Sequence, residues 1–181
     1  MTTKTVTHWS DALVKLFACW SAVDFARTQP DLVTAWKLCD RGDWMLWLAG
    51  RCAGPAGDDR RRPLTLAACG CARLALARFE ERNSAESRPR KAIETAESWA
   101  RNSGATLAEV QTAAYAAYAD ADDAYADAAA YAAYAAAAAY AAYAAAAAAA
   151  YAARLSARAD ALKRCADIVR AFYPNPPELS K

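Results

Sequence analysis

The residues best equipped for chemistry in this chain are arginines set beside tryptophans. Arg41-Gly42-Asp43 runs into Trp44-Met45-Leu46-Trp47, and Arg51 follows one helical turn later. Two tryptophans three residues apart share one helix face. They either join a core or form a rigid aromatic wall. Beside Arg41 and Arg51, such a wall suits a planar, anionic ligand through stacking and cation–π contact. A second basic set, Arg88-Pro89-Arg90-Lys91, opens a helix. Cations there oppose the helix dipole, so the sequence predicts specific partners for Arg88 and Arg90. Those partners are either internal, among the acids at 120–127 or Glu94 and Glu97, or an external phosphate or carboxylate held bidentately. Arg60-Arg61-Arg62 follows Asp58-Asp59 and reads as a solvated loop, while Glu94 and Glu97 read as surface residues.

Catalysis is not expected. His8 is the only histidine, and no G-x-S-x-G, Walker or G-x-G-x-x-G motif occurs. The six cysteines (Cys19, Cys39, Cys52, Cys69, Cys71, Cys165) contain no C-x-x-C pair, so no metal site or other cofactor is expected. Buried free thiols in a reducing cytoplasm are the simpler reading.

Residues 113–153 use only three residue types: 29 Ala, eight Tyr and four Asp. Ala has the highest helix propensity, and neither Gly nor Pro interrupts the run. At helical spacing, Tyr115, Tyr118, Tyr125, Tyr140, Tyr143 and Tyr151 share one face, while Tyr131 and Tyr134 fall opposite. The stripe is either close-packing scaffold, with hydroxyls at a wet edge, or a groove for a ligand or partner helix that begins at Tyr115 and Tyr118. Residues 128–153 are uncharged and long enough to span a bilayer, but they lack the Leu, Ile, Val and Phe that drive insertion. No membrane association is expected, and the N-terminus has no signal-peptide pattern.

The elements that must position these groups are all helical. The sequence predicts an all-α, compact bundle of about 6–8 helices, with long Ala/Tyr-rich helices in the C-terminal half. One helical domain spans 1–173, its Ala/Tyr-rich part 106–173, and 174–181 is a Pro-rich tail. Ser10 caps a first helix over 11–27, with Leu13, Leu16, Phe17, Trp20 and Val23 as one apolar stripe. Pro30 opens a short helix carrying Leu32, Ala35 and Trp36, which Gly42 ends, and Asp43 caps the next. Pro63 starts a helix over 63–82, whose small-residue middle, Ala67 to Ala72, permits close helix approach. Another spans 88–102 and buries Ile93, Ala96, Trp99 and Ala100. Thr106-x-x-Glu109 is a capping box. An unbroken helix from Leu107 to Phe172 would reach ~100 Å, against a ~16 Å radius of gyration for a compact chain of this size, so one or two breaks are expected. Leu162, Cys165, Val169 and Phe172 continue one face near the end.

The formal net charge of +2 is too small for a dedicated nucleic-acid binder. Charge is uneven, however: residues 51–101 carry eleven Arg/Lys against seven Asp/Glu, while 102–127 carry five acids.

GDWMLWLA (42–49), CGCARLAL (69–76), RPRKAIETAESWA (88–100), the Ala/Tyr tract and CADIVR (165–170) together resemble the putative immunity protein family of bacterial polymorphic-toxin systems. Similar Ala/Tyr-rich proteins also occur in phage genomes. The resemblance covers about 40–173 and implies a small, non-enzymatic cytoplasmic protein that neutralises a toxic partner by stoichiometric sequestration. The partner is then most simply a protein toxin, docked on an exposed helix face with Arg and Trp anchors. A second hypothesis is a phage-type sponge for a nucleotide-like immune signal. Trp44, Trp47 and a tyrosine would stack the base, and Arg41, Arg51, Arg88 or Arg90 would hold phosphate. A third is a homo-oligomer built through Ala/Tyr helix faces.

Overall fold

A computed structural model describes residues 8–55, 57–82, 84–118 and 158–179. Among these are eight helices and no strand: α1 (Asp11–Lys15), α2 (Trp20–Arg27), α3 (Leu32–Leu38), α4 (Gly42–Cys52), α5 (Arg61–Arg82), α6 (Arg88–Ala100), α7 (Leu107–Tyr118) and α8 (Arg158–Phe172). The all-α expectation holds. The breaks sought in the Ala/Tyr tract, and most of its tyrosine stripe, lie outside the described residues.

Small residues set the centre. α5 packs against α6 and α8, and α8 against α4. Ala67, Ala68, Cys69, Cys71 and Ala72 are buried, as their lack of bulk predicts. A Cβ on Gly70 would lie 2.9 Å from Ile168 Cγ2. One on Gly42 would lie 2.4 Å from Cys165 Cβ and 2.6 Å from the Ala166 backbone nitrogen. Gly42 is therefore not the terminator of the preceding helix. It opens α4, where only a hydrogen fits against α8. α3 has already ended at Leu38, followed by the extended Cys39, and Asp43 sits inside the first turn of α4, with Arg41 at the cap.

Around that centre, charges are paired. Arg73 donates from Nε and Nη2 to Glu97 at 2.7 and 3.0 Å, and Arg101 adds a bond of 3.0 Å. Glu97 is buried, which corrects its reading as a surface residue. Burial alone would raise its carboxyl pKa, but the two guanidinium partners outweigh that and hold it below the ordinary value. The arginine run is a solvated loop only at Arg60, which is exposed in the turn before α5. Arg61 starts α5 and is buried, its Nε donating 3.1 Å to the Gly54 carbonyl. Arg62 bonds the Trp99 carbonyl and lies 5.0 Å from the Trp99 ring centroid.

Two helix starts follow local capping chemistry. Asp31 caps α3 by accepting from Thr34 N at 2.7 Å. The capping box forms at α7: Thr106 N donates to Glu109 Oε2 at 2.7 Å, and Glu109 N to Thr106 Oγ1 at 3.3 Å. The predicted helix over 11–27 is not continuous. It breaks into α1 and α2, because Phe17 adopts the left-handed conformation at φ 64°. Ser10 makes no capping bond. It is buried and bonded to His8 Nδ1 at 2.7 Å. The predicted stripe therefore splits: Leu13 and Val23 are buried, while Phe17 and Trp20 are exposed.

Cys39, Cys69, Cys71 and Cys165 are buried as expected, Cys52 is half-buried, and Cys19 is exposed, against expectation. On α8, Leu162, Cys165 and Val169 are buried, but Phe172 is not. Beyond it, Tyr173 and Leu179 pack against the core. Burial pushes the Tyr173 phenol up to about 12. Among the described residues no helix is long and apolar enough to cross a membrane.

Candidate functional site

α1 to α4 enclose a cleft of about 410 Å³. Its walls are aromatic. Trp9, Phe25, Trp36, Trp44 and Trp47 line it, with Leu13 and Met45 between them and Phe17 at the mouth. Two of the indole N–H groups are already bonded. Trp9 Nε1 donates to the Gln29 carbonyl at 3.0 Å, and Trp36 Nε1 to the Tyr173 carbonyl at 2.9 Å. With their polar groups engaged elsewhere, these two rings offer the cleft hydrocarbon. Phe25 and Trp44 meet at 6.1 Å between centroids, tilted by 48°.

The lining includes one cation and one anion, and they are paired. Arg41 donates from Nε and Nη2 to the two Asp43 carboxylate oxygens at 2.9 and 2.6 Å. The guanidinium also stands 4.2 Å from the Trp44 ring centroid. Bonding to Asp43 holds Arg41 above its ordinary pKa, with burial working the other way. Cys39 sits in the wall, its thiol raised by burial. Cys19 lies at the exposed edge.

The floor is tied to α8. Arg170 Nη1 donates to the carbonyls of Trp36 at 3.3 Å and Cys39 at 2.8 Å, where α3 ends. Its Nη2 bonds Asp167 at 2.6 Å. One guanidinium thus satisfies terminal carbonyls of α3 and holds that helix to the central bundle.

Of the residues singled out by sequence, Arg41, Trp44 and Trp47 come together in the cleft. Arg51 is exposed and does not line it. Arg88 and Arg90 are elsewhere, with internal partners. Arg88 bonds Glu86, and Arg90 bonds Glu80 and sits 3.7 Å from Glu94. Of the internal partners foreseen, Glu94 is found, whereas Glu80 and Glu86 were not anticipated. Tyr115 is exposed on α7, apart from the cleft, and the Tyr118 side chain lies outside the described residues. Sequence reasoning missed Trp9, Phe25 and Trp36 as cleft walls. Their spacing signals burial, and nothing local says that three short helices leave a gap between them. Among the described residues no group of three or more His, Cys, Asp or Glu could hold a metal.

Comparison with known proteins adds one finding. The family model described as Imm-5 like putative immunity protein matches residues 55–172. The match takes in α5 to α8, and the cleft lies ahead of it. No curated protein matches the chain, and no solved structure does.

Proposed function

The chain belongs to the Imm-5 like putative immunity protein family, and we propose that it neutralises a toxic protein by binding it stoichiometrically, without chemical turnover. The observation that carries this reading is the exposure of large apolar residues in one region. Of the seven large apolar residues exposed among the described residues, five (Val14, Phe17, Trp20, Val33 and Leu38) lie in or beside α1 to α3, and Tyr115 and Phe172 lie elsewhere. Isolated exposed apolar residues are ordinary, whereas a concentration of them beside a concave apolar site marks an interaction surface. Aromatic side chains are also the usual anchors of protein interfaces. The cytoplasm suits a protein with six free thiols.

Co-expression with the product of each gene adjoining its own tests the proposal. One product should arrest growth alone. Growth should return with this chain, and the two should co-elute at one-to-one mass by light scattering. If no product is toxic, or none forms a complex, the reading falls.

The nucleotide-sponge reading draws on Arg41 over Trp44. Against it stands Asp43, which already occupies the guanidinium that a phosphate would need. A nucleotide at 100-fold excess over its dissociation constant would add ~2.7 kcal/mol of stability. No thermal shift is expected with mono-, di- or cyclic nucleotides.

A further inference from the structure

We infer that Cys71 of α5 and Cys165 of α8 are a redox latch. A low-molecular-weight disulfide oxidises the pair, and the resulting Cys71–Cys165 bond fixes α8, and with it the floor of the cleft, to the central bundle.

The two sulfurs already meet where α5 packs on α8. Cys71 Sγ donates to the Cys165 carbonyl at 4.0 Å, and the two thiols also bond each other. Among the described residues no other hydrogen bond joins two cysteines. Cys69 turns to the Ile93 carbonyl at 3.8 Å, and Cys39 to the Arg41 carbonyl at 3.6 Å. A disulfide needs Cα atoms within ~7 Å, which packed helices reach only where their side chains are small. That condition is met beside both sulfurs. Gly70 faces Ile168 and Gly42 faces Cys165, each with no room for a Cβ.

Burial sets the conditions under which the latch works. Cys71 and Cys165 are both 0% exposed. Burial also pushes the Cys71 thiol well above its ordinary pKa, and a thiol held protonated is a poor nucleophile. The closed molecule is therefore slow to react, and oxidation follows the local opening that lifts α8 from α5. Once bared, one cysteine attacks the small disulfide as its thiolate. A mixed disulfide forms, and one small thiolate leaves. The second cysteine attacks the protein-bound sulfur, the Cys71–Cys165 bond forms, and the second small thiolate leaves. The two thiol protons go to the leaving thiolates. The protein gives up two electrons, and the small disulfide takes them.

The bond joins positions 94 apart, so it constrains a long loop of the unfolded chain and favours the folded state. It also acts locally. Arg170, on the same helix as Cys165, holds the carbonyls of Trp36 and Cys39. An α8 that cannot lift keeps that end of α3 in place. Cysteines serving only as small apolar side chains would bring neither effect.

Oxidised glutathione is the probe. It is applied to the full chain carrying Cys19→Ser and Cys52→Ser, so that the more accessible thiols do not compete. The product should lose two hydrogens and retain no glutathione. Trypsin without reductant should release residues 62–73 joined to 165–170. The Tm should rise by about 5 °C or more and return on reduction. Hydrogen exchange in α8 should slow about tenfold. Cys71→Ala should abolish all of these changes, and Cys165→Ala takes its place if that variant does not fold. Cys69→Ala, in the same tryptic segment as Cys71, should abolish none. Failure of the two segments to join, even in urea at the foot of the unfolding transition, would overturn the latch. So would a bridge through Cys69, or a Cys71–Cys165 bond that leaves Tm and α8 exchange unchanged. None of these outcomes bears on the immunity reading.

Discussion

α5 and α8 approach each other through Gly70 and Cys71, whereas α1 to α3 face α4 across a cleft lined by aromatic rings. The two regions use opposite packing solutions. Small side chains let backbones close until no space remains, and charges at the periphery pair across helices. Large rigid rings on short helices prop the elements apart and leave a cleft with aromatics at its edge. The first solution is suited to a scaffold, and the family match falls there. The second leaves apolar surface uncovered, and surface of that kind is available to a partner.

The comparison can be broken first at Gly42. Any Cβ there meets Cys165 and the Ala166 backbone, which cannot rotate aside. Gly42→Leu should cost about 3 kcal/mol or more, the upper end for overpacked cores, read as a fall in the urea midpoint. A near-neutral result would mean that the α4–α8 contact is looser than the distances imply. Next is Glu97→Ala, which leaves the partly exposed Arg73 without its buried partner. Because Arg73 is partly solvated, the loss should be about 2 kcal/mol rather than the ~3–5 of a fully buried pair.

Glu97 also sets part of the acid limit. Its folded pKa lies below 4.5, so its contribution is complete above that pH and lost as pH falls through the folded value. Glu86, held near 2 by Arg88, behaves the same way. Stability should therefore be level above about pH 4.5 and decline below it. Glu97→Gln should flatten that decline, and an unchanged acid limb would remove Glu97 from the account.

Arg170→Met tests whether the two regions are joined at one point. Losing the bonds to the Trp36 and Cys39 carbonyls should cost about 1–2 kcal/mol. Hydrogen exchange should quicken in α3 while α5 and α6 stay protected. Uniform loss of protection would show that the regions unfold as one. The smallest effect is expected at Phe17→Gly. Relief of left-handed strain, about 1–2 kcal/mol, is offset by the ~0.5–1 kcal/mol entropy of an added glycine. Tm should be unchanged or slightly higher. A clear drop would mean that the Phe17 ring supports the fold.

Legibility in the sequence followed the range of the interactions. Thr106 and Glu109 form their capping box within one turn of chain, and they were readable. The small-residue middle of α5 was readable too, because lack of bulk is a property of the residues themselves. The break at Phe17 was not, since Gly or Asn usually marks a left-handed helix end and neither stands there. Glu97 was misread because its partner Arg73 lies on another helix. The Arg41, Trp44 and Trp47 group was readable as a set, being contained in α4 and its cap, but Asp43 was assigned to capping when it binds Arg41. Arg88 and Arg90 were correctly expected to need partners, yet the sequence did not single out Glu86 and Glu80.

By itself the sequence determined the all-α class, the small-residue contact at α5 and the capping box at α7, because propensity, side-chain volume and capping act within a few residues. It also placed Arg41 beside Trp44. Only the tertiary structure decided that Trp9, Phe25 and Trp36 join them around a cleft, that Arg51, Arg88 and Arg90 do not, and that Arg170 ties its floor to α8. Those outcomes depend on how short helices stack across more than a hundred residues of chain, where the sizes of facing side chains, not local preference, set the gap between them.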